Sequence, residues 1–157
     1  MNQFIIKTRD WQKLKNYMFQ NLSIETGAYA VYKTSKSSNS CKFLVNEIIL
    51  PNENDYYKRS PVVVAFSPKF TEQSIQKCEK FNGHLLDIHT HPWSDNVQFS
   101  SVDDNEAVNT KIPYFRQYVE DTQIAFIVFG CDENIVRARF WDKTLNKLSN
   151  IDRIVVI

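Results

Sequence analysis

The chain has 157 residues, 43% hydrophobic and 13% aromatic, which suits one compact α/β-sized domain with a sizeable core. Its 19 basic and 18 acidic side chains leave a net charge of +1, which excludes a broad electrostatic footprint for nucleic acid or an anionic membrane. No apolar run reaches the roughly 18 residues of a membrane span, and MNQFIIKTRDW lacks the apolar stretch of a secretion signal, so a soluble, cytoplasmic protein is expected.

Taken in order, Phe4-Ile5-Ile6 reads as a short opening strand. Asp10 looks like an N-cap, and Trp11, Leu14, Tyr17, Met18 and Leu22 recur at helical spacing, so a helix is expected over about 10–21. Residues 25–32 combine small, β-branched and aromatic side chains and suit a strand. SKSSNS at 35–40 reads as a turn, with a return strand from Cys41 to Leu50 that Pro51 stops. Residues 51–60 read as a polar loop and 61–66 as another strand.

A second helix is expected from Ser67-Pro68 or Thr71 to Phe81, with Gly83 as its stop. Leu85 to His91 is mostly apolar and reads as a central strand. Ser100 is expected to cap a third helix whose first turn holds Asp103, Asp104 and Glu106, where negative charge is favourable. Pro113 is expected to end or kink it near Lys111. Ile124–Phe129, Ile135–Trp141 and Ile151–Ile157 close the chain as strands, the first two joined by a turn at 130–134. The sum is a single mixed α/β domain over 1–157: a twisted, mostly antiparallel sheet with helices packed on it.

The chemistry concentrates in Asp87-Ile88-His89-Thr90-His91-Pro92. Alternation along a strand turns His89 and His91 to the same side, roughly 7 Å apart along the backbone. Both imidazoles can therefore reach one ion. Pro92 ends the strand where they stand, at a loop of the kind that usually carries sites. Asp103 returns at a helix start, so two imidazoles and one carboxylate can converge. With a water in the fourth position, that is the catalytic form of a zinc centre. A His-x-His alone is weak evidence; the Pro, the loop and the Ser-x-x-Asp after it strengthen it.

His84 has the opposite strand parity and reads as structural or exposed. Cys41, Cys78 and Cys131 are odd in number with no two close together, which argues against a disulfide framework or a thiolate zinc knuckle. There is no HExxH. The deaminase pattern of HxE with PCxxC is also missing.

The segment HTHPWSDNVQFSSVD resembles the JAMM (MPN-plus) metalloprotease motif, His-x-His-Pro followed by a loop and Ser-x-x-Asp. Upstream, IETGAYAV resembles the family's glutamate segment. The resemblance implies a cytidine-deaminase-like α/β domain and a Zn²⁺ ion held by His89, His91 and Asp103. It implies Glu25 as general base and Ser100 as donor to the oxyanion of the tetrahedral intermediate. The loop between Pro92 and Ser100 holds seven residues, one more than the commonest family spacing. Ser101 with Asp104 therefore forms a second Ser-x-x-Asp pair, and Ser100 with Asp103 is preferred because it needs the smaller insertion. Glu47 is the competing base, with a solvated strand residue as its plainer reading. Asp87 shares the strand parity of the histidines and is a candidate partner for them.

By the same resemblance the activity is that of an isopeptidase or peptidase cutting after the C-terminus of a ubiquitin-like protein. The tail would lie as an added strand near the zinc. Tyr56, Tyr57 and Pro113-Tyr114-Phe115 are candidate contacts for it. The chain looks like bacterial, deubiquitinase-like members of ubiquitination-like antiviral (antiphage) defence systems, which implies activating and conjugating enzymes as further partners. Sulfur-carrier processing is the near alternative. A non-catalytic MPN scaffold and a RadC-like protein are the others. The first would have lost its ligands, and the second would bring DNA-related sequence that this chain lacks.

Overall fold

The computed structural model describes residues 1–118 and 123–157. Ten strands occur among them: β1 (Asn2–Ile6), β2 (Gly27–Ser37), β3 (Ser40–Ile49), β4 (Tyr56–Ser60), β5 (Val63–Phe66), β6 (His84–Thr90), β7 (Ala125–Phe129), β8 (Val136–Asp142), β9 (Lys147–Asn150) and β10 (Arg153–Val156). Eight form one sheet in the order β10-β1-β3-β2-β6-β7-β8-β9, while β4 and β5 form a separate hairpin. The pairings of β1 with β10 and β3, and of β6 with β7, are parallel. The other four are antiparallel. The sheet is thus mixed, with antiparallel pairings in the majority as expected and parallel ones where β1 and β7 join it.

Both faces are covered, which is why the central strands are apolar on both sides. On one face α1 (Thr8–Met18) buries Leu14 and Met18 against Phe4, Tyr32, Phe43 and Ile88. On the other, α2 (Pro68–Phe81) buries Phe70, Ile75 and Cys78 against Tyr29, Val31 and Leu85. Full burial of each such side chain is worth about 1.5–3 kcal/mol. A helical segment follows the histidine loop: α3 (Ser101–Glu106), a π-helical turn (Ala107–Lys111) and α4 (Ile112–Arg116). No helix among the described residues is long and apolar enough to cross a membrane.

Several expected boundaries move. The first helix begins at Thr8 with Lys7 as N-cap, so Asp10 lies in its first turn and not at the cap. The 25–32 strand begins only at Gly27 and runs through SKS to Ser37, because Ser37 and Ser40 pair around a tight Ser38-Asn39 turn. The expected 51–60 loop contains β4, since Tyr56–Ser60 pairs with β5. Asn82, not Gly83, takes the left-handed C-cap of α2 at φ 48°. Gly83 is needed for contact instead: a Cβ there would stand 2.6 Å from Val31 Cγ1. Pro113 does not end the third helix. The π turn just before it widens the ladder, and helix resumes at Ile112. The expected 151–157 strand is shorter, and β9 precedes it unforeseen.

Candidate metal centre

β6 lies between β2 and β7. Its period of two directs Leu86 and Ile88 into the α1 core and leaves Asp87 and His89 on the α2 face. His91 follows just past the strand end, where its N–H donates to Phe129 O at 2.7 Å and keeps the chain extended alongside β7. Both imidazoles are buried, and their Nε2 atoms stand 3.2 Å apart. Trp93 stacks on the His91 ring, with centroids 5.6 Å apart at 6°.

The third member arrives from α3. Ser100 caps this helix: its Oγ accepts from Asp103 N at 3.1 Å. Asp103 Oδ2 accepts in turn from Ser100 N at 2.6 Å and from Ser100 Oγ at 2.9 Å. This reciprocal capping box fixes the Asp103 carboxylate. Its Oδ1 lies 3.3 Å from His89 Nε2 and its Oδ2 3.5 Å from His91 Nε2. Burial opposes its charge, but His89 and the Ser100 hydrogen bonds outweigh that and hold the carboxyl well below the usual range. The His91 pKa is lowered as well, by burial and by His89, which favours the neutral imidazole. Among the described residues, His89, His91 and Asp103 form a group whose donor atoms all lie within 4.8 Å and can hold a metal ion.

Of the two aspartates that the spacing offered, Asp103 is the one that meets the histidines. Asp104 points to the sheet and pairs with Arg139 of β8. One residue along a helix turns the side chain by about 100°, which is enough to separate the two. Ser101 is exposed, the first residue of α3. A second tether holds this segment: Lys111 Nζ lies 2.7 Å from the buried Asp87 Oδ2. Asp87, a candidate partner for the histidines, is thus taken by Lys111.

Glu25 reaches the centre through register. Gly27 of β2 pairs with His89, and beyond it Thr90 N donates to Thr26 O at 3.0 Å. Two residues before Gly27, Glu25 therefore comes opposite His91, on the same face. Its carboxylate is buried, with Oε1 3.9 Å from His91 Nε2. Burial pushes its pKa up to about 7, opposed by His89 and helped by the negative charge of Asp103. The competitor, Glu47, pairs instead with Lys77 of α2 at 2.6 Å. His84 accepts a hydrogen bond from Gln123 N at 3.1 Å.

These groups line a cavity of about 740 Å³, walled by Val62–Val64 of the β4–β5 hairpin, Trp93, Phe99 and Lys111. Trp93 Nε1 donates to Pro61 O at 3.1 Å, joining the hairpin tip to the histidine loop. Tyr57 is 79% exposed, but Tyr56 turns inward and donates to Gly27 O at 3.1 Å. Phe115 is buried in the core.

Sequence reasoning missed Arg59, Trp93, Lys111 and Arg139. An aromatic directly after His-x-His-Pro was a usable signal for Trp93. The other three are cations whose partners lie on elements distant in sequence, and no local pattern marks them.

The sequence matches no protein-family model and no curated protein. Among solved structures it is similar to protein DSY2949 from Desulfitobacterium hafniense, determined in solution. The TM-score is 0.57 at 12% identity, over 100% of this chain and 93% of that one. The likeness is one of fold. It supports a mixed α/β architecture spanning the whole chain.

Proposed function

We propose that this protein is a zinc-dependent hydrolase of the JAMM/MPN-plus type, cutting the peptide or isopeptide bond after the C-terminal tail of a ubiquitin-like protein. The observation that carries this reading is the triangle of donor atoms beside a buried carboxylate. Zinc bonds of about 2.0–2.1 Å at tetrahedral angles set neighbouring donors about 3.3–3.4 Å apart. Here the two Nε2 atoms are 3.2 Å apart, with Asp103 Oδ1 3.3 Å from His89 Nε2 and Asp103 Oδ2 3.5 Å from His91 Nε2. Two imidazoles and one carboxylate are also the donor set of a catalytic zinc, not of a closed structural one.

When bound, the metal supplies Lewis acidity at the point where the three donors converge. The chain's own groups do the rest. Glu25, buried and 3.9 Å from His91, takes a proton from the attacking water and returns it to the leaving nitrogen as the C–N bond breaks. Burial, which raises its pKa, favours its holding the proton between the two steps. The Ser100 hydroxyl, which holds Asp103 in this structure, lines the same cavity and is placed to turn towards the developing oxyanion. β5 pairs only with β4 among the described residues, so its other edge offers backbone groups along the cavity wall. An extended tail would add there as a third strand, its last residues delivered to the donors.

A ubiquitin-like protein carrying a C-terminal peptide extension tests this. Zinc-loaded protein is expected to release the extension, with product masses placing the cut directly after the tail. A chelator is expected to stop the reaction and added zinc to restore it. No cleavage by zinc-loaded protein, across fusions and lysine-linked conjugates, contradicts the hydrolase reading.

A further inference from the structure

Glu25 precedes β2, so the sheet itself does not hold it. Its position comes from the hairpin. Arg59 of β4 donates from Nε to Glu25 O at 2.9 Å and from Nη2 to Thr26 Oγ1 at 2.6 Å. Its remaining nitrogen, Nη1, reaches the exposed Glu53 at 3.2 Å, a pair of little worth in water. Its guanidinium lies over the Tyr56 ring, 4.6 Å from the centroid. The next residue, Ser60, accepts from Glu25 N at 2.9 Å. The hairpin thus grips both main-chain polar groups of Glu25 and leaves its carboxylate free to face the cavity. Gly27 makes room for this: a Cβ there would stand 2.6 Å from Cζ of the Phe66 ring of β5, so the ring would have to move.

We propose that Arg59 is the positioning residue of this site, holding Glu25 by its main chain so that the β4–β5 hairpin and the base form one rigid unit. The inference rests on the hydrolase reading for its kinetic consequence but not for its structural one. The fork geometry matters, because two donors of one planar group serve two adjacent residues. A lysine carries the charge, but its three donors radiate from one nitrogen and do not reproduce the spacing of the planar fork. A substrate strand seated on β5 would then bear on the element that carries the base's anchor. Displacements near 1 Å of a catalytic group cost about 100-fold in rate.

The test uses the full-length, zinc-loaded protein with Arg59→Lys and Arg59→Ala, read by amide hydrogen exchange, zinc content and cleavage kinetics. Exchange at the Glu25 amide is expected to accelerate at least about 10-fold in both variants, while Ala28 and Ile88 in the sheet stay protected. Zinc content should stay at the native level. The turnover number kcat is expected to fall about 10- to 100-fold with little change in KM, the lysine variant failing to rescue it. Native exchange at Glu25 in both variants overturns the proposal, as does full rescue of kcat by lysine. If the native protein cleaves nothing, the hydrolase reading fails on its own, and the exchange data still decide whether Arg59 anchors Glu25. If the alanine variant does not fold, the lysine variant gives the same two readouts.

Discussion

Glu25→Gln is expected to lower cleavage about 10²- to 10⁴-fold, the range for losing a positioned general base, while zinc stays bound as in the native protein. The substitution is nearly isosteric and keeps the main-chain bonds to Arg59 and Ser60. What it removes is a charge that burial already disfavours, so folding stability should not fall. Loss of activity with fold and metal intact separates a base from a structural carboxylate. Undiminished cleavage would remove Glu25 from the mechanism.

The second large effect is a contrast between neighbours. Asp103→Ala deletes one of three donors and is expected to weaken zinc affinity by well over the ~100-fold typical of losing a supporting residue outside the ligand set. Asp104→Ala leaves the donors and frees Arg139 from its carboxylate partner. It is expected to keep stoichiometric zinc at affinity reduced about 10-fold or less, with some loss of stability from the unpaired, buried Arg139. Competition against a zinc chelator of known affinity gives both values. Equal losses for the two would mean that the capping box around Ser100 does not select the ligand.

How much of this could be read from the chain depends on whether the information is local. His89 and His91 were legible because a strand's period of two puts them on one side, and Pro92 marks where the strand ends. The Ser100–Asp103 capping box was legible for the same reason, as a pattern within four residues. Asp103 against Asp104 was legible only through loop length, since both occupy the first turn of one helix and contacts with the sheet separate them. β4 was hidden by its own composition: Tyr56 to Ser60 is polar and reads as loop. Its order comes from Tyr56 and Arg59 reaching the backbone of residues 25–27, contacts made across some thirty residues of sequence. The π turn was not foreseen: Pro113 was expected to end or kink the helix near Lys111, and the ladder widens over Ala107–Lys111 before helix resumes. The anchor of Glu25 was therefore the least visible part of the site, although the residue itself was marked by the small-residue strand after it.

The proposed function stands on His89, His91 and Asp103 holding a zinc ion. Metal analysis of protein purified without affinity tags that bind metal, native against His89→Ala/His91→Ala, tests it most directly. One zinc per native chain and none in a folded double variant is the expected result. Equal and negligible zinc in both, after incubation with the ion, would contradict it.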